Sequence, residues 1–503
     1  MNRIHKALVT ILAFSMLQGC VARKFSDLPQ GEQEKIRNAC KPPALASRYG
    51  PYSTPMYYLM AKGYEYKGDE DVGPTDRCYP KMNGTIGPNW GNWKLDRNRP
   101  DFQEAMLRDW AELGLNNTHL NLFPINQNLT LDPDYATAIT DFSALSSRYG
   151  IKVGVRLDSL DETKLWTMHP ANPDNQRQAY IGWVKQVVTL LKGQTAYYVL
   201  GDELTLKKQA SDLPKDAWTA SLYLDYFKEV SAAIKSIDPD AKVCMFGASS
   251  GEWFNTLWLL EHGYAQVGDG VAINHYDYNS VPKFIADRDR LAPGKLFLTN
   301  GVGYVSAATV TDRYPLGDSY SATPTEQAHA AAVAKTMFMW WDVGADTAPY
   351  YISLRNWVVD GKVYPRWFGF FGFQDFVIKN DRMTVKRYLA WYSYQTITHT
   401  FYNRRDFKSA EALVSSTGKI SKLRAFEHPV DGGTELLLMV WNDEANSVNT
   451  TLTIKGTAYR YPVRVSLEDM NRWESLASKI EGGTTSIQLA VDATPQVIRL
   501  FRR

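Results

Sequence analysis

The run Tyr197-Tyr198-Val199-Leu200-Gly201-Asp202-Glu203-Leu204 decides how the rest of this sequence is read. A short apolar and aromatic stretch ends in a glycine and delivers two adjacent carboxylates, the pattern of a buried strand opening into a site at its C-terminal end. A carboxylic acid shielded by aromatic neighbours has its pKa raised enough to donate a proton near neutral pH. Glu203 is therefore the candidate general acid, with Asp202 beside it. An isolated Asp-Glu pair reads as solvated surface. Its place directly after a strand-like run, with helix-like segments on either side, favours chemistry.

Outward from that run, strand-like stretches alternate with helical ones. The strands are Met56 to Met60, Asn117 to Leu122, Lys152 to Leu157, Ala196 to Leu200, Lys242 to Phe246, Gly270 to Asn274, Lys295 to Leu298 and Ala348 to Ser353. Apolar residues at helical spacing mark Phe102 to Leu113, Tyr135 to Tyr149, Gln176 to Leu191, Trp218 to Ile237 and Thr325 to Trp341. Gly114, Gly150 and Gly193 each fall where a helix C-cap needs a left-handed residue. This alternation predicts a parallel sheet with crossover helices, closed as a (β/α)8 TIM barrel over residues 51–402. The fallback, an open doubly wound sheet, lacks a Gly-x-Gly-x-x-Gly after its first strand.

A long helical run from Met383 to about Tyr402 ends this region. Beyond it, short strand candidates at Ala412 to Ser415, Glu435 to Trp441, Thr450 to Ile454, Val463 to Leu467, Ser486 to Leu489 and Gln496 to Phe501 are separated by glycine turns. Residues 403–503 read as an antiparallel β-sandwich in which no chemistry is visible.

The 503 residues suffice for a barrel plus a smaller domain. The 56 basic and 54 acidic residues leave a formal charge of +2 with no long basic run, so nucleic acid is excluded as a partner. The 15 Trp and 29 Tyr suit sugar stacking, and equally the filling of a large core.

At the amino terminus, Arg3 and Lys6 precede an apolar stretch from Ala7 to Met16 and then Leu17-Gln18-Gly19-Cys20. The stretch is too short to span a membrane. It resembles a bacterial lipoprotein signal over residues 1–19, which implies lipidation of Cys20. Val21 comes after that cysteine rather than Asp, which by the same resemblance implies the outer membrane of a Gram-negative cell, facing the periplasm or the surface. Residues 20–50 read as a polar tether. Export makes the redox setting oxidising, so Cys40 and Cys78 are candidates for a disulfide, whereas Cys244 sits in a buried strand and is expected to be free and inert. No Cys or His spacing reads as a metal site.

A barrel followed by a sandwich resembles the glycoside hydrolases of the large barrel clan. The stretch Gly150 to Asp158 looks like their third strand, Gly201-Asp202-Glu203 like the fourth-strand motif whose second polar residue is the acid/base, Asp269 to Asp277 like the sixth, and Lys295 to Gly301 stands where the seventh belongs. The resemblance implies a monomeric enzyme acting on a carbohydrate substrate without a cofactor. It departs from the clan in two places. Asp202 occupies the position that is usually Asn, and Thr299-Asn300-Gly301-Val302-Gly303-Tyr304 contains no carboxylate where the clan has its nucleophilic glutamate.

Three readings are open. The Asp202-Glu203 pair resembles the motif of hexosaminidase-type hydrolases, in which the substrate's own acetamido group is the nucleophile and a tyrosine such as Tyr304 helps hold it. Alternatively Asp277 or Asp158 acts as base across a wider gap, with inversion. In the third, the chain is a glycan-binding or envelope polysaccharide assembly lipoprotein that has lost its nucleophile.

Supporting residues are Arg156 as a hydroxyl or carboxylate clamp beside Asp158, His275 and Tyr276 as sugar contacts, Asn300 at the seventh strand, and Arg355 with Trp357 as a cation and stacking wall after the eighth. Trp90 and Trp93 lie in the glycine-rich loop after the first strand, as a substrate platform. Arg156 paired with Asp158 also reads as a structural ion pair.

Overall fold

The computed structural model describes residues 24–39, 56–58, 100–122, 124, 129–157, 177–200, 220–249, 253–274, 280–301, 305–306, 322–323, 325–346, 354–365, 372–380, 382–402 and, apart from 445 and 457–458, 406–502. The chain divides into two compact units, Leu45–Asn403 and a second built from Met1–Ala44 together with Arg404–Arg503.

In the first unit, strands β1 (Met56–Tyr58), β2 (Asn117–Leu122), β3 (Lys152–Leu157), β4 (Thr195–Leu200), β5 (Val243–Ser249), β6 (Gly270–Asn274) and β7 (Leu296–Gly301) lie side by side in sequence order. Every pairing is parallel. The expected eighth strand, Ala348 to Ser353, lies outside the described residues. Just before it, the Asp346 N–H already donates to the Phe297 carbonyl on β7 at 2.8 Å. The crossovers are helices, since parallel neighbours require connections of a dozen residues or more. The N-terminal helix Gln30–Ala39 is α1. The barrel helices are α2 (Pro100–Leu113), α3 (Pro133–Arg148), α4 (Arg177–Leu191), α5 (Ala220–Ile237), α6 (Trp253–Leu259), α7 (Val281–Leu291), α8 (Glu326–Asp342) and α9 (Leu389–Ile397). Gly114, Gly150 and Gly193 have φ of +91°, +71° and +76°, so all three helix ends use the left-handed residue that the sequence predicts.

The two faces of the sheet are separated by alternation along each strand. Tyr197, Val199, Cys244, Ala272 and Leu298 cluster on one face, the barrel interior. Phe297, between inward Leu296 and Leu298, instead stacks at 5.6 Å on Trp340 of α8. Large and small residues interlock inside: a Cβ at Gly154 would stand 2.5 Å from Cζ of Tyr197, and one at Gly270 would stand 2.5 Å from the Leu296 Cβ. Cys244 is free and buried, and burial holds its thiol pKa well above the ordinary value, as expected of an inert cysteine.

A closed ring differs from an open sheet in that its first and last helices meet. Arg387, just before α9, reaches α2: its Nε donates to Asp109 at 2.8 Å and its Nη1 to Glu112 at 2.7 Å. Trp391 Nε1 donates to the other Asp109 oxygen at 3.2 Å, and Gln395 Nε2 donates to the Glu112 carbonyl at 2.9 Å. In a doubly wound sheet these helices would lie at opposite ends. Burial raises the Asp109 carboxyl to a pKa of about 6, against the opposing pull of Arg387.

Between the position of the eighth strand and α9 the chain forms a second, four-stranded sheet. Its strands are β8 (Leu354–Val359), β9 (Lys362–Pro365), β10 (Gln374–Lys379) and β11 (Arg382–Arg387), in the order β9-β8-β10-β11. The helical run expected from Met383 is thus half wrong. Met383 to Arg387 alternate in burial, carry β-branched Thr384 and Val385, and pair with β10 across a turn in which Asn380 takes φ +50°. The helix begins only at Leu389.

The second unit is an antiparallel sandwich. One sheet holds β12 (Lys408–Ser409), β14 (Lys422–Val430), β15 (Gly433–Trp441), β21 (Gln496–Arg502), β17 (Arg460–Val465) and β18 (Trp473–Ser475). The other holds β13 (Val414–Ser416), β16 (Val448–Ile454), β20 (Thr484–Val491) and β19 (Ser478–Glu481). Leu436, Leu438 and Val440 of the first sheet meet Leu452, Ile454, Ile487 and Leu489 of the second.

Part of the stretch read as a tether is folded here. Phe25, Leu28 and Ile36 of the N-terminal segment pack on Val463 and Phe501, and Phe25 is 2% exposed. Phe25 sits 5.2 Å from the Trp473 ring, the Ser26 N–H donates to Ser475 Oγ at 2.9 Å, and the Arg37 guanidinium lies 5.6 Å from both rings. The segment is polar overall, yet these few apolar residues share one face and find an apolar strip to cover.

Beside that strip, Glu435 is 0% exposed and accepts from Arg499 and His428. Burial alone would raise its pKa. The Arg499 charge and the two hydrogen bonds outweigh burial and lower it to about 2. Two consequences are measurable. Arg387→Ala leaves Asp109 buried without its cation and should cost the barrel on the order of 3 kcal/mol in urea unfolding. Because the Glu435 pKa falls from 4.5 to about 2 on folding, it contributes stability above 4.5 that drains away as pH falls towards 2. Glu435→Gln should remove that acid-limb slope from the sandwich's unfolding curve.

Candidate active site

All described strands of the barrel run in one direction, so their C-terminal ends share one edge. Leu157 pairs with Leu200, Leu200 with Met245, and Asn274 with Gly301. The opposite edge is closed by side chains: Asp269 accepts the Val243 N–H at 2.9 Å and Lys235 Nζ at 2.8 Å, and Asp346 accepts the Phe297 N–H at 2.7 Å. The C-terminal edge is the one that the motifs after β3, β4, β6 and β7 follow in sequence. Asp158 comes after β3, Asp202 and Glu203 after β4 across Gly201, His275, Tyr276 and Asp277 after β6, and Tyr304 after β7. These seven residues lie outside the described residues, as do Trp90, Trp93, Cys20, Cys40 and Cys78. Asn300 and Trp357 lie in described strands, β7 and β8.

Two ladders shift register at this edge, between Phe246 and Ser249 on β5 and between Ile273 and Asn274 on β6. Such irregularities bend a strand and re-aim the loop beyond it, and they gather at barrel rims.

Arg156 is the one candidate whose side chain is described at the mouth. It pairs in register with Val199, shares the inward face with Gly154, and is buried one residue before β3 ends. Below it the interior is apolar, so the strand ends meet a permanent positive charge in a low-dielectric setting. A cation so placed can hold a carboxylate in its ionised form or fix a polar substrate group.

Arg355 does not belong to such a wall. It is 4% exposed, its Nη1 and Nη2 donate to the two Glu326 oxygens at 2.8 and 3.3 Å, its Nε donates to the Gly372 carbonyl at 3.1 Å, and its guanidinium stacks 3.8 Å from the Tyr388 ring centroid. Tyr388 donates to Asp375, which also accepts Asn356 Nδ2 at 2.8 Å. Burial and then the Asp375 bond raise the Tyr388 hydroxyl pKa. The group expected to face sugar instead ties the second sheet to the start of α8. Sequence reasoning also misses Asp109, Glu112 and Arg387. Their only local signal is two acids one turn apart on α2, with the cation far along the chain.

No family model and no curated protein matches the sequence. Solved structures do match it in shape. A monomeric beta-xylosidase from Caulobacter crescentus superposes with a TM-score of 0.53 at 13% identity, covering 92% of this chain and 98% of that one. The fold is that of the barrel glycoside hydrolases. A GH30 endoxylanase from Clostridium papyrosolvens gives 0.52 at 11% identity, covering 90% and 98%, and a glycoside hydrolase family 5 protein from Bacteroides vulgatus gives 0.52 at 10%, covering 92% and 93%. The matches run over nine-tenths of the chain or more and agree with a (β/α)8 barrel, of which seven strands are described here.

Arg355→Lys tests the structural assignment, since a lysine offers neither the bidentate fork nor the stacking plane. The expected outcome is a loss of on the order of 2 kcal/mol in thermal unfolding, with sugar affinity unchanged.

Proposed function

We propose that this chain is a glycoside hydrolase acting on a poly- or oligosaccharide, with Glu203 as general acid. The observation that carries the reading is the position of β4. It is the fourth strand of the parallel ring and ends at Leu200, so Asp202 and Glu203 are the first carboxylates past its C-terminal end. In this architecture that edge is where reacting groups gather. The buried Arg156 at the same edge supports a polar site above an apolar floor.

Asn300, next to last in β7, bears on the mechanism. An amide cannot form the covalent glycosyl ester of two-glutamate retention. Two routes need no carboxylate there. In one, Asp202 orients the acetamido group of an N-acetylated substrate as the nucleophile while Glu203 protonates the leaving oxygen. In the other, Asp277 or Asp158 activates water, for which carboxyl separations of about 6.5 to 9.5 Å suit inversion. Asn300 also favours the second reading, a glycan-binding lipoprotein without turnover.

The endoxylanase and beta-xylosidase among the structural neighbours make xylo-oligosaccharides the first substrates to assay, beside N-acetylated oligosaccharides. The N-terminal signal and Cys20 support placement at the outer membrane through a lipid anchor.

The test is Glu203→Gln. Loss of a positioned general acid should lower kcat by about 10²–10⁴-fold, while sugar binding measured by calorimetry persists. Turnover that survives the change removes Glu203 from the mechanism. Binding without turnover in the unaltered protein selects the second reading.

A further inference from the structure

We infer that the C-terminal sandwich is the membrane-seated part of this protein, with residues 24–39 acting as the clasp that fixes the lipid anchor to it. The inference rests on the proposed lipidation of Cys20 and goes beyond it. A lipoprotein whose folded part began at the barrel would hang from about thirty residues of coil, whose ends stand roughly 30 Å apart on average and explore widely. That is not the arrangement found. Folded contact with the sandwich begins at Phe25, five residues after Cys20, and five residues span at most about 18 Å when fully extended.

The contact is built from several independent interactions. Phe25, Leu28 and Ile36 bury apolar surface against Val463 and Phe501. Ser26 is held by its backbone to Ser475 of β18, and Gln33 Nε2 closes the segment on itself by donating to the Leu28 carbonyl at 2.9 Å. Arg37 stacks against Phe25 and Trp473, and Trp473 in turn lies 4.8 Å from the guanidinium of Arg499, the partner of buried Glu435. The clasp and the buried ion cluster of the sandwich thus share Trp473. Only Val21-Ala22-Arg23 separate Cys20 from the clasp in sequence, and the surface around β18 is thereby confined to the neighbourhood of the bilayer.

The test uses the full, lipidated chain in vesicles of phosphatidylethanolamine and phosphatidylglycerol that carry rhodamine on a fraction of the headgroups. A fluorescent amino acid replaces Glu474, which is exposed on β18, and energy transfer to the headgroups reports its height. An insert of about twenty Gly-Ser residues between Arg23 and Lys24 raises the mean reach by about 15 Å, to about 27 Å, and should lower transfer about two-fold or more. The same insert between Ala39 and Cys40, beyond the clasp, should leave transfer unchanged. Equal losses from both inserts, or transfer in the parent chain no higher than in the first insert, overturn the inference while leaving the anchor intact. Protein that leaves the membrane fraction with Cys20 unaltered, or that stays bound after Cys20→Ser, overturns the anchor reading itself, and the seat with it.

Discussion

The fork between Arg387 and the pair Asp109 and Glu112 is the contact on which the architecture depends. It joins the end of β11, just before the last helix of the barrel, to the first helix, and around it Trp391, Gln395 and Thr398 add hydrogen bonds to the same stretch of α2. A parallel sheet leaves an open edge unless its two ends meet. Once they meet, strand direction does the rest: the C-terminal ends of strands distant in sequence share one rim. Closure is thus what makes a site possible, although none of the closing residues belongs to it.

Three guanidinium groups carry much of the long-range organisation. Arg387 closes the ring, Arg355 holds the second sheet to α8, and Arg499 neutralises Glu435 inside the sandwich. Each pairs with carboxylates and lies over an aromatic ring, Trp391, Tyr388 and Trp473 respectively. The combination suits arginine, whose planar fork bonds at its edge and stacks on its face at once. It also accounts for some of the aromatic content that invites a sugar-stacking interpretation. Trp391, Tyr388 and Trp473 are ordering charges, not displayed for a ligand.

The sequence is most readable where local chemistry and tertiary fate coincide. Asn117–Leu122, Lys152–Leu157 and Gly270–Asn274 are strands with the predicted bounds, and the apolar stretches Val153 to Val155 and Val271 to Ile273 are buried as strands covered on both faces require. The glycines at 114, 150 and 193 are legible because only one conformation suits the turn. It is least readable where a pattern is shared by two structures. Met383 to Arg387 has helix-compatible spacing but is captured by β10 as a hairpin partner. Lys422–Val430 escapes detection because charges and Pro429 interrupt its alternation, yet β15 pairs along its whole length. The polar composition of residues 20–50 hides Phe25, Leu28 and Ile36, whose value appears only against Phe501, more than four hundred residues away. Arg355 looks like a site residue from its place after the eighth strand, and only Glu326 and Tyr388 reveal its employment. In the candidate site, Arg156, expected as a hydroxyl or carboxylate clamp, lies buried one residue before β3 ends, whereas the candidates after β3, β4 and β6 are legible only as strand-end positions.

The proposed function turns on Glu203, three residues past the end of the fourth strand. The measurement that addresses it most directly is a crystal structure of the Glu203→Gln protein with an uncleaved oligosaccharide bound. A general acid at this position predicts the amide of residue 203 within about 2.6–3.2 Å of a glycosidic oxygen, at the rim that also holds Arg156. A sugar bound elsewhere, or a residue 203 directed away from any glycosidic bond, would contradict it.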